Sequence, residues 1–367
     1  MPDRRTVLKH MVTGCAVAGL LPLMPGCTRN PPERLVFSTA RDRKGHFSAR
    51  IASPDRIWQH IVPLPARGHG IALHPVQPVL VCCDRRPGQN LHVIDFRDGT
   101  LLKRIGSQPN RHFYGHATFS PDGSYLFATE NDLHKGRGII GVYETKHYNK
   151  VAEFSAHAIG PHEIHLHPDN RTLVVANGGI QTHPSSGRQK LNLATMQPRL
   201  SYIDSHSGEL LEEHSFQHHQ LSIRHFDIAP DGTVVFGMQY QGDPADIKPL
   251  VALHRRGESI RSMQADETEW LQLNQYIASV CILPEADTVI TTAPRGNTVA
   301  FWRLSDQQLV NAVSVNDAAG VVAVNPHTAV VSNGMGELIH YTCRAGNGRK
   351  IQRLLYPDCQ WDNHMSV

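Results

Sequence analysis

The sequence predicts a seven-bladed β-propeller, an all-β ring of the WD40/YVTN-like kind. Three observations predict it: a recurring strand-and-turn motif, four short strands per repeat, and chain ends that complement one another. The motif is an apolar strand that starts near a histidine and closes in a turn, and it returns at roughly forty to sixty residues, a blade-like period. Its copies read GHGIALHP from Gly68, GHATFSPDG from Gly115, PHEIHLHPDN from Pro161, RHFDIAPDG from Arg224, SVCILPEAD from Ser279 and GVVAVNPHT from Gly320.

Each copy of the motif is followed by three further short apolar runs. In the first complete unit the four strands are predicted at residues 69–74, 79–83, 91–96 and 101–105. Runs rich in Val, Ile, Leu and Phe that are separated by Pro, Asp and Gly are typical of strands joined by tight turns. Only residues 267–277 have a pattern that allows a short helix. Six complete four-stranded units are therefore predicted.

The two ends of the chain predict the seventh unit. Residues 35–39, 46–52 and 57–64 form three strands that lack an inner partner, and residues 361–367 form one strand that is left over. If the last strand becomes the inner strand of the first sheet, the ring closes and no sheet edge stays open. The terminal segment is therefore expected to complete the first blade.

The first thirty residues predict an export signal. Arg4 and Arg5 precede an apolar stretch at residues 11–24, which is too short and too broken by Gly and Pro to span a membrane. This layout is typical of twin-arginine signals and predicts a periplasmic protein. Residues 23–27 also resemble a lipoprotein box with Cys27 as the lipidated residue, and simple cleavage is the alternative because Pro25 fits that box poorly. Residues 31–367 are then a single propeller domain.

Composition and common motifs exclude several classes of function. The formal net charge of +3 is too small to indicate binding to nucleic acid or to an anionic membrane. The sequence contains no GxSxG elbow, HExxH helix, Walker loop or dinucleotide fingerprint. Five cysteines follow the signal, and buried thiols are predicted over disulfides: Cys82, Cys83, Cys281, Cys343 and Cys359.

Histidines gather near the start of the inner strands in five of the seven units. The candidate metal ligands are His69, His116, His162, Glu163, His225 and His364. Neutral imidazole is a good ligand for iron, copper and zinc, so a transition metal is the predicted cofactor. The competing interpretation is a set of buried hydrogen bonds, such as His225 with Asp227 and His116 with Thr118. His69 and His162 are one position out of register, which strict alternation would turn to the opposite face.

The loops between the second and third strands of each unit are long and polar, and in a propeller they lie at the same mouth as the starts of the inner strands. The candidate ligand-binding residues are Arg85, Arg86, Glu130, Asn131, Asp132, Asn177, Arg224, Gln239, Tyr240, Arg295 and Asn333. The arginines suit recognition of a carboxylate or phosphate through forked hydrogen bonds. Solvated loop charges are the alternative for all of them except Arg224.

Several long segments resemble one protein family over nearly the whole mature chain. They include TENDLHKGRGIIGVYE, IGPHEIHLHPDNRTLVVANGGIQTHP, HQLSIRHFDI, FGMQYQGDPAD, PRGNTVAFW and the terminal WDNH. These segments are similar to the twin-arginine-exported β-propeller family known as domain of unknown function 1513. The resemblance implies a periplasmic propeller, often encoded near imelysin-like iron-uptake proteins, and it implies those proteins as partners. It implies no established activity.

Taken together, these patterns predict a periplasmic protein that binds a metal or small ligand at one mouth of the channel and assists iron or other metal acquisition. A binding protein is favoured over an enzyme. The alternatives are a metal-dependent or cofactor-dependent enzyme, either an oxidoreductase or a lactonase-like hydrolase, and a protein-interaction scaffold. The enzyme alternative rests on analogy between propeller folds.

Overall fold

Seven four-stranded antiparallel sheets make up the fold. The structure is a computed structural model that describes residues 34–187 and 189–367; the predicted export signal and Cys27 lie outside the described residues. In chain order the strands are β1 (Val36–Arg41), β2 (Phe47–Ala52), β3 (Gln59–Leu64), β4 (Gly68–Leu73), β5 (Val79–Asp84), β6 (Asn90–Asp95), β7 (Thr100–Gly106), β8 (Arg111–Phe119), β9 (Tyr125–Asp132), β10 (Arg137–Glu144), β11 (Asn149–Ser155), β12 (Pro161–Leu166), β13 (Thr172–Asn177), β14 (Arg199–Asp204), β15 (Leu210–His214), β16 (Leu221–Ile228), β17 (Val234–Tyr240), β18 (Val251–His254), β19 (Arg261–Ser262), β20 (Ser279–Leu283), β21 (Thr288–Ala293), β22 (Thr298–Arg303), β23 (Leu309–Ser314), β24 (Ala318–Asn325), β25 (Thr328–Asn333), β26 (Glu337–Arg344), β27 (Asn347–Leu355) and β28 (Gln360–Ser366).

The first blade joins both ends of the described chain. Its strand order is β28–β1–β2–β3, with Trp361 opposite Ala40 and Met365 opposite Ser38. The other six blades are β4–β7, β8–β11, β12–β15, β16–β19, β20–β23 and β24–β27, and each begins at its inner strand. The inner strands contact one another in sequence, and β28 contacts both β24 and β4. The predicted seven-bladed ring and its closure by the C-terminal strand are therefore confirmed.

The turn between the first two strands of a blade explains the Pro-Asp-Gly pattern. Asp122, Asp169 and Asp231 each accept a hydrogen bond from the backbone N–H two residues later, at 2.9 to 3.0 Å. The following Gly123 and Gly232 have φ of +73° and +85°, a region that glycine adopts without strain. The aspartate thus stabilises the turn and the glycine completes it, which is why the motif recurs.

The hydrophobic core lies between successive blades. The second strands of the blades, such as β5 and β17, are buried along their whole length, so each sheet packs both of its faces against neighbouring blades. The contact between the last and first blades buries Val330, Leu338 and Trp361 in one cluster, so burial of apolar surface also holds the ring closed. The cysteines predicted as thiols are free and buried in the strands and turns around this core.

One α-helix, α1 (Glu267–Gln272), lies before β20, and 3-10 turns occupy Pro184–Ser186 and Pro294–Gly296. The helix begins with a capping box between Asp266 and Glu269. It is shorter than the predicted 267–277 because Asn274 and Gln275 adopt φ of +48° and +55°, which ends the helical path. The described part of the chain contains no helix long and apolar enough to cross a membrane.

Candidate functional site

Five histidine side chains meet at one end of the central channel. They come from five different inner strands: His69 from β4, His116 from β8, His162 from β12, His225 from β16 and His364 from β28. Their ring centroids are 4.3 to 6.2 Å apart in the measured pairs, and each residue is only 2% to 9% exposed. We call these five residues the histidine cluster.

β-Bulges bring the cluster together. The ladders that join β4 to β5, β8 to β9, β12 to β13, β16 to β17 and β28 to β1 all shift register next to the histidine. Each shift inserts unpaired residues into the inner strand, which breaks the alternation of side chains. The expectation that His69 and His162 face away from the others is therefore wrong. Of the two inner strands that contribute no histidine to the cluster, β20 pairs with β21 without a shift, whereas β24 also shifts register between Ala318 and Val321.

Two glycines make room for the crowded rings. Gly115 has φ of +117°, and a Cβ there would lie 2.7 Å from Cδ2 of His69. A Cβ at Gly70 would lie 2.7 Å from both the Gly115 carbonyl oxygen and Nδ1 of His116. Contacts under 3 Å are too short for real Cβ atoms, so neither position accepts a side chain without a shift of the cluster. Glycine at positions 70 and 115 is thus required by packing, and at Gly115 also by the positive φ.

A chain of hydrogen bonds satisfies two of the histidines. Nη1 of Arg224 lies 3.3 Å from Nδ1 of His162, whose Nε2 lies 3.2 Å from Nε2 of His225. Nδ1 of His225 lies 3.2 Å from Oε2 of Glu163, which also accepts a 2.9 Å bond from the Phe226 backbone N–H. We assign the tautomers so that Arg224 donates to His162, His162 to His225, and His225 to Glu163, because only this direction gives every link a donor and an acceptor.

The other three histidines keep unsatisfied nitrogens. Nε2 of His69, His116 and His364 is buried and has no hydrogen-bond partner among the described residues. Nδ1 of His116 lies 3.5 Å from Oε1 of Glu163, and Nδ1 of His69 lies 3.6 Å from Oδ1 of Asp362. A carboxylate near Nδ1 favours the tautomer in which Nε2 carries a free lone pair. The expected partner of His225, Asp227, instead accepts backbone N–H groups of Ile228 and Ile282.

Burial sets the charges of the cluster. Desolvation lowers the pKa of His69, His162 and His364 well below the usual value, and it lowers the pKa of His116 to about 3. Burial opposes ionisation of Glu163, but its electrostatic attraction to the His116 ring and the hydrogen bonds from His165 and His225 outweigh burial and keep that pKa well below its usual value. At neutral pH these imidazoles are neutral and the carboxylate is charged, which are the forms that bind metals.

Two overlapping sets of side chains in the cluster could hold a metal ion. One is His116, Glu163, His225 and His364, and the other is His69, His162 and His225; within each set, ligand atoms lie within 4.8 Å of one another. A third set, Glu212, His214 and His254, lies on outer strands of neighbouring blades. There both ring nitrogens of His254 have partners, since Nδ1 lies 2.6 Å from the Tyr202 hydroxyl and Nε2 3.0 Å from the Glu258 carbonyl oxygen. The unsatisfied nitrogens distinguish the central sets from this one.

A cavity of about 520 Å³ opens above the cluster, and His69, His162 and His225 form part of its wall. Among the predicted contact residues, the structure brings Arg85, Arg86, Arg224, Gln239 and Arg295 to this cavity. Sequence reasoning missed Arg67, Tyr114, Lys190, Tyr276 and Asp317, which also line it. A signal for two of them was available, because Arg67 and Tyr114 each stand two residues before a cluster histidine.

The remaining predicted contact residues lie outside the cavity wall. They belong to strands that extend further than the sequence suggested: Glu130, Asn131 and Asp132 in β9, Asn177 in β13, Tyr240 in β17 and Asn333 in β25. All of them are buried and bonded within or between blades; Glu130, for example, accepts bonds from Lys150 and Tyr143. The tertiary structure thus places these polar groups in hydrogen bonds of the scaffold, away from the cavity.

Comparison with known proteins is consistent with this fold. The model of the family described as protein of unknown function (DUF1513) matches residues 62–367. No curated protein matches the chain. A solved structure titled Kuenenia stuttgartiensis hydrazine synthase aligns with a TM-score of 0.62 at 16% identity and covers 91% of this chain and 99% of its own. At that identity the likeness establishes the fold alone.

Proposed function

Since the chain belongs to the DUF1513 family, which carries no described function, its activity has to be inferred from its own site, and we propose that it binds a transition metal ion at the histidine cluster. One observation carries the proposal: Nε2 of His116 and Nε2 of His364, which belong to one of the two central ligand sets, are buried without a hydrogen-bond partner among the described residues. Each such group costs about 1–3 kcal/mol when it stays unsatisfied. A bound ion would offset that cost.

His116, His225 and His364 would hold the ion, with Nε2 of His225 exchanging its hydrogen bond from His162 for the metal, and Glu163 would supply the negative charge beside it. This set contains two of the unsatisfied nitrogens as well as the only carboxylate in the two central groups. Glu163 also lies against Nδ1 of both His116 and His225, the arrangement in which a carboxylate fixes the ring and raises the basicity of the ligand nitrogen. An imidazole-rich site of this kind suits copper, zinc or iron.

The proposed ligand His225 forms part of the cavity wall, and the rings of His69 and His162 would lie beside it between the ion and the cavity. Both rings form part of the cavity wall, and His69 lies 4.9 Å from His116 and 4.3 Å from His364 between centroids. This position supports an oxidoreductase as the second candidate function, because a copper or iron ion beside a cavity that admits a small molecule is able to exchange electrons with it, whereas zinc is not.

We further propose that the protein acts in the periplasm, as the twin-arginine signal indicates, with Cys27 as a lipid attachment site. Binding of a metal there would serve iron or other metal acquisition together with imelysin-like partners, and this part of the proposal rests on the sequence resemblance. Pull-down from a periplasmic extract with the exported protein as bait tests it. Absence of an imelysin-like protein from the bound fraction would contradict that partner.

Metal analysis by mass spectrometry tests the central proposal. The full chain, exported through its own signal, is compared with His116→Ala, His364→Ala and with a control, His147→Ala, His327→Ala, that removes two exposed histidines. We expect about one ion per chain in the wild type and the control, and loss of it in the cluster variant with unchanged circular dichroism. A wild type that stays metal-free after incubation with copper, zinc and iron salts would contradict the proposal.

A further inference from the structure

The cavity above the cluster is lined by an excess of positive charge. Six cationic side chains reach its wall: Arg67, Arg85, Arg86, Lys190, Arg224 and Arg295. Among the described residues of that wall, Asp317 is the one carboxylate. Like charges gathered in one recess repel one another, and the field of such a recess concentrates anions. The positive electrostatic field of the cavity therefore attracts a negatively charged molecule.

Aromatic rings position two of these cations. The guanidinium of Arg86 lies over the Tyr114 ring at 5.0 Å and donates to the Tyr114 hydroxyl at 3.0 Å. The guanidinium of Arg295 lies over the Tyr276 ring at 4.4 Å. Stacking on an aromatic ring fixes the plane of a guanidinium group without removing its positive charge. The N–H groups of that guanidinium are therefore oriented to donate hydrogen bonds to a carboxylate or phosphate. Arg67 differs, since its Nε forms a 2.5 Å ion pair with Asp362.

The cations also come from different parts of the ring. Arg67 precedes β4, Arg86 follows β5, Lys190 follows β13, Arg224 lies in β16 and Arg295 follows β21. Positive charge therefore surrounds the cavity on several sides. A ligand with a single acid group would meet only one side, whereas a molecule with two or three acid groups would meet several at once.

We propose that this cavity binds a small polyanion, a molecule with at least two carboxylate or phosphate groups, directly above the histidine cluster. The volume of about 520 Å³ lies within the range of small-molecule sites. A second observation points to a ligand in the same place: the buried His69, which is 3% exposed, forms part of the wall and keeps both ring nitrogens without a hydrogen-bond partner among the described residues. The inference goes beyond metal binding and does not depend on it.

Isothermal titration calorimetry on the full chain tests the inference with two probes, propane-1,2,3-tricarboxylate and inorganic pyrophosphate, and with the neutral triamide of the first as a blank. We expect saturable binding of at least one polyanion, weaker at high salt because screening reduces attraction between charges. Arg86→Gln, Arg295→Gln is expected to weaken it at least tenfold, since charge-assisted hydrogen bonds are lost. The control, Arg104→Gln, Arg349→Gln, removes two exposed arginines from the outer strands β7 and β27 and is expected to change affinity less than twofold.

The possible results of the titration distinguish specific binding in the cavity from the absence of a site. Binding of the tricarboxylate or of pyrophosphate that depends on the cavity pair supports the inference and shows which acid group is recognised. Absence of saturable binding by both probes overturns the inference. An equal loss of affinity in the control variant, Arg104→Gln, Arg349→Gln, also overturns it. Metal content is measured on the same samples, so failure of polyanion binding in a protein that holds its metal would overturn this inference and leave the proposed metal site intact.

Discussion

Replacement of Gly115 by alanine tests whether the β-bulge of β8 builds the site. At φ of +117° an alanine is strained by about 1–3 kcal/mol. Its Cβ would also lie 2.7 Å from Cδ2 of His69, and turning that ring off its rotamer costs about 0.5–1.5 kcal/mol. We therefore expect Gly115→Ala to lower the free energy of unfolding by about 2–4 kcal/mol.

The same substitution should also remove the proposed metal. Gly115 precedes His116, and His69 contacts both His116 and His364, so strain at this glycine turns three rings of the cluster. Gly257→Ala is the matched control, because Gly257 has φ of +79° and open space around the position of a Cβ. We expect that control to lose about 1 kcal/mol of stability, the cost of left-handed backbone alone, and to keep the metal.

Urea unfolding and metal analysis on the three proteins provide the measurement. The larger loss of stability and the loss of metal should occur together in Gly115→Ala. If this variant loses less than about 1 kcal/mol and keeps the metal content of the wild type, the argument that the bulge is required for the cluster is refuted.

Two further predictions concern the scaffold. Lys150→Met should lower the free energy of unfolding by about 3 kcal/mol because Glu130, 1% exposed, loses the cation 3.0 Å from its carboxylate, while metal content stays unchanged. Adding Glu130→Gln should restore part of that stability in urea unfolding, and a metal loss would contradict a structural role for Glu130. Burial raises the pKa of Cys343 to about 11 and that of Cys359 to about 12, so both thiols should resist iodoacetamide at pH 8 until the protein is unfolded. Mass spectrometry checks the labelling, and rapid alkylation of either thiol in the native protein would contradict their burial.

Local chemistry along the chain was sufficient to predict the scaffold. The strand period and the Pro-Asp-Gly turns depend on neighbouring residues, as the aspartate bonds at Asp122 and Asp231 illustrate. Closure of the ring was also predictable, because three strands without an inner partner and one strand without a sheet leave a single way to remove both open edges. The positions of the histidines near the inner-strand starts belong to the same local pattern.

Only the tertiary structure decided what those histidines do. A register shift depends on how two strands pair, and no residue in β4 or β12 indicates it in the sequence. Strict alternation of side chains therefore placed His69 and His162 on the wrong face of their strands. The same pairing extends β9 beyond its predicted end, which turns Glu130 from an expected loop residue into a buried partner of Lys150. Sequence spacing determined the blades, whereas convergence of side chains from five of them is a long-range property that exists only once the ring has closed.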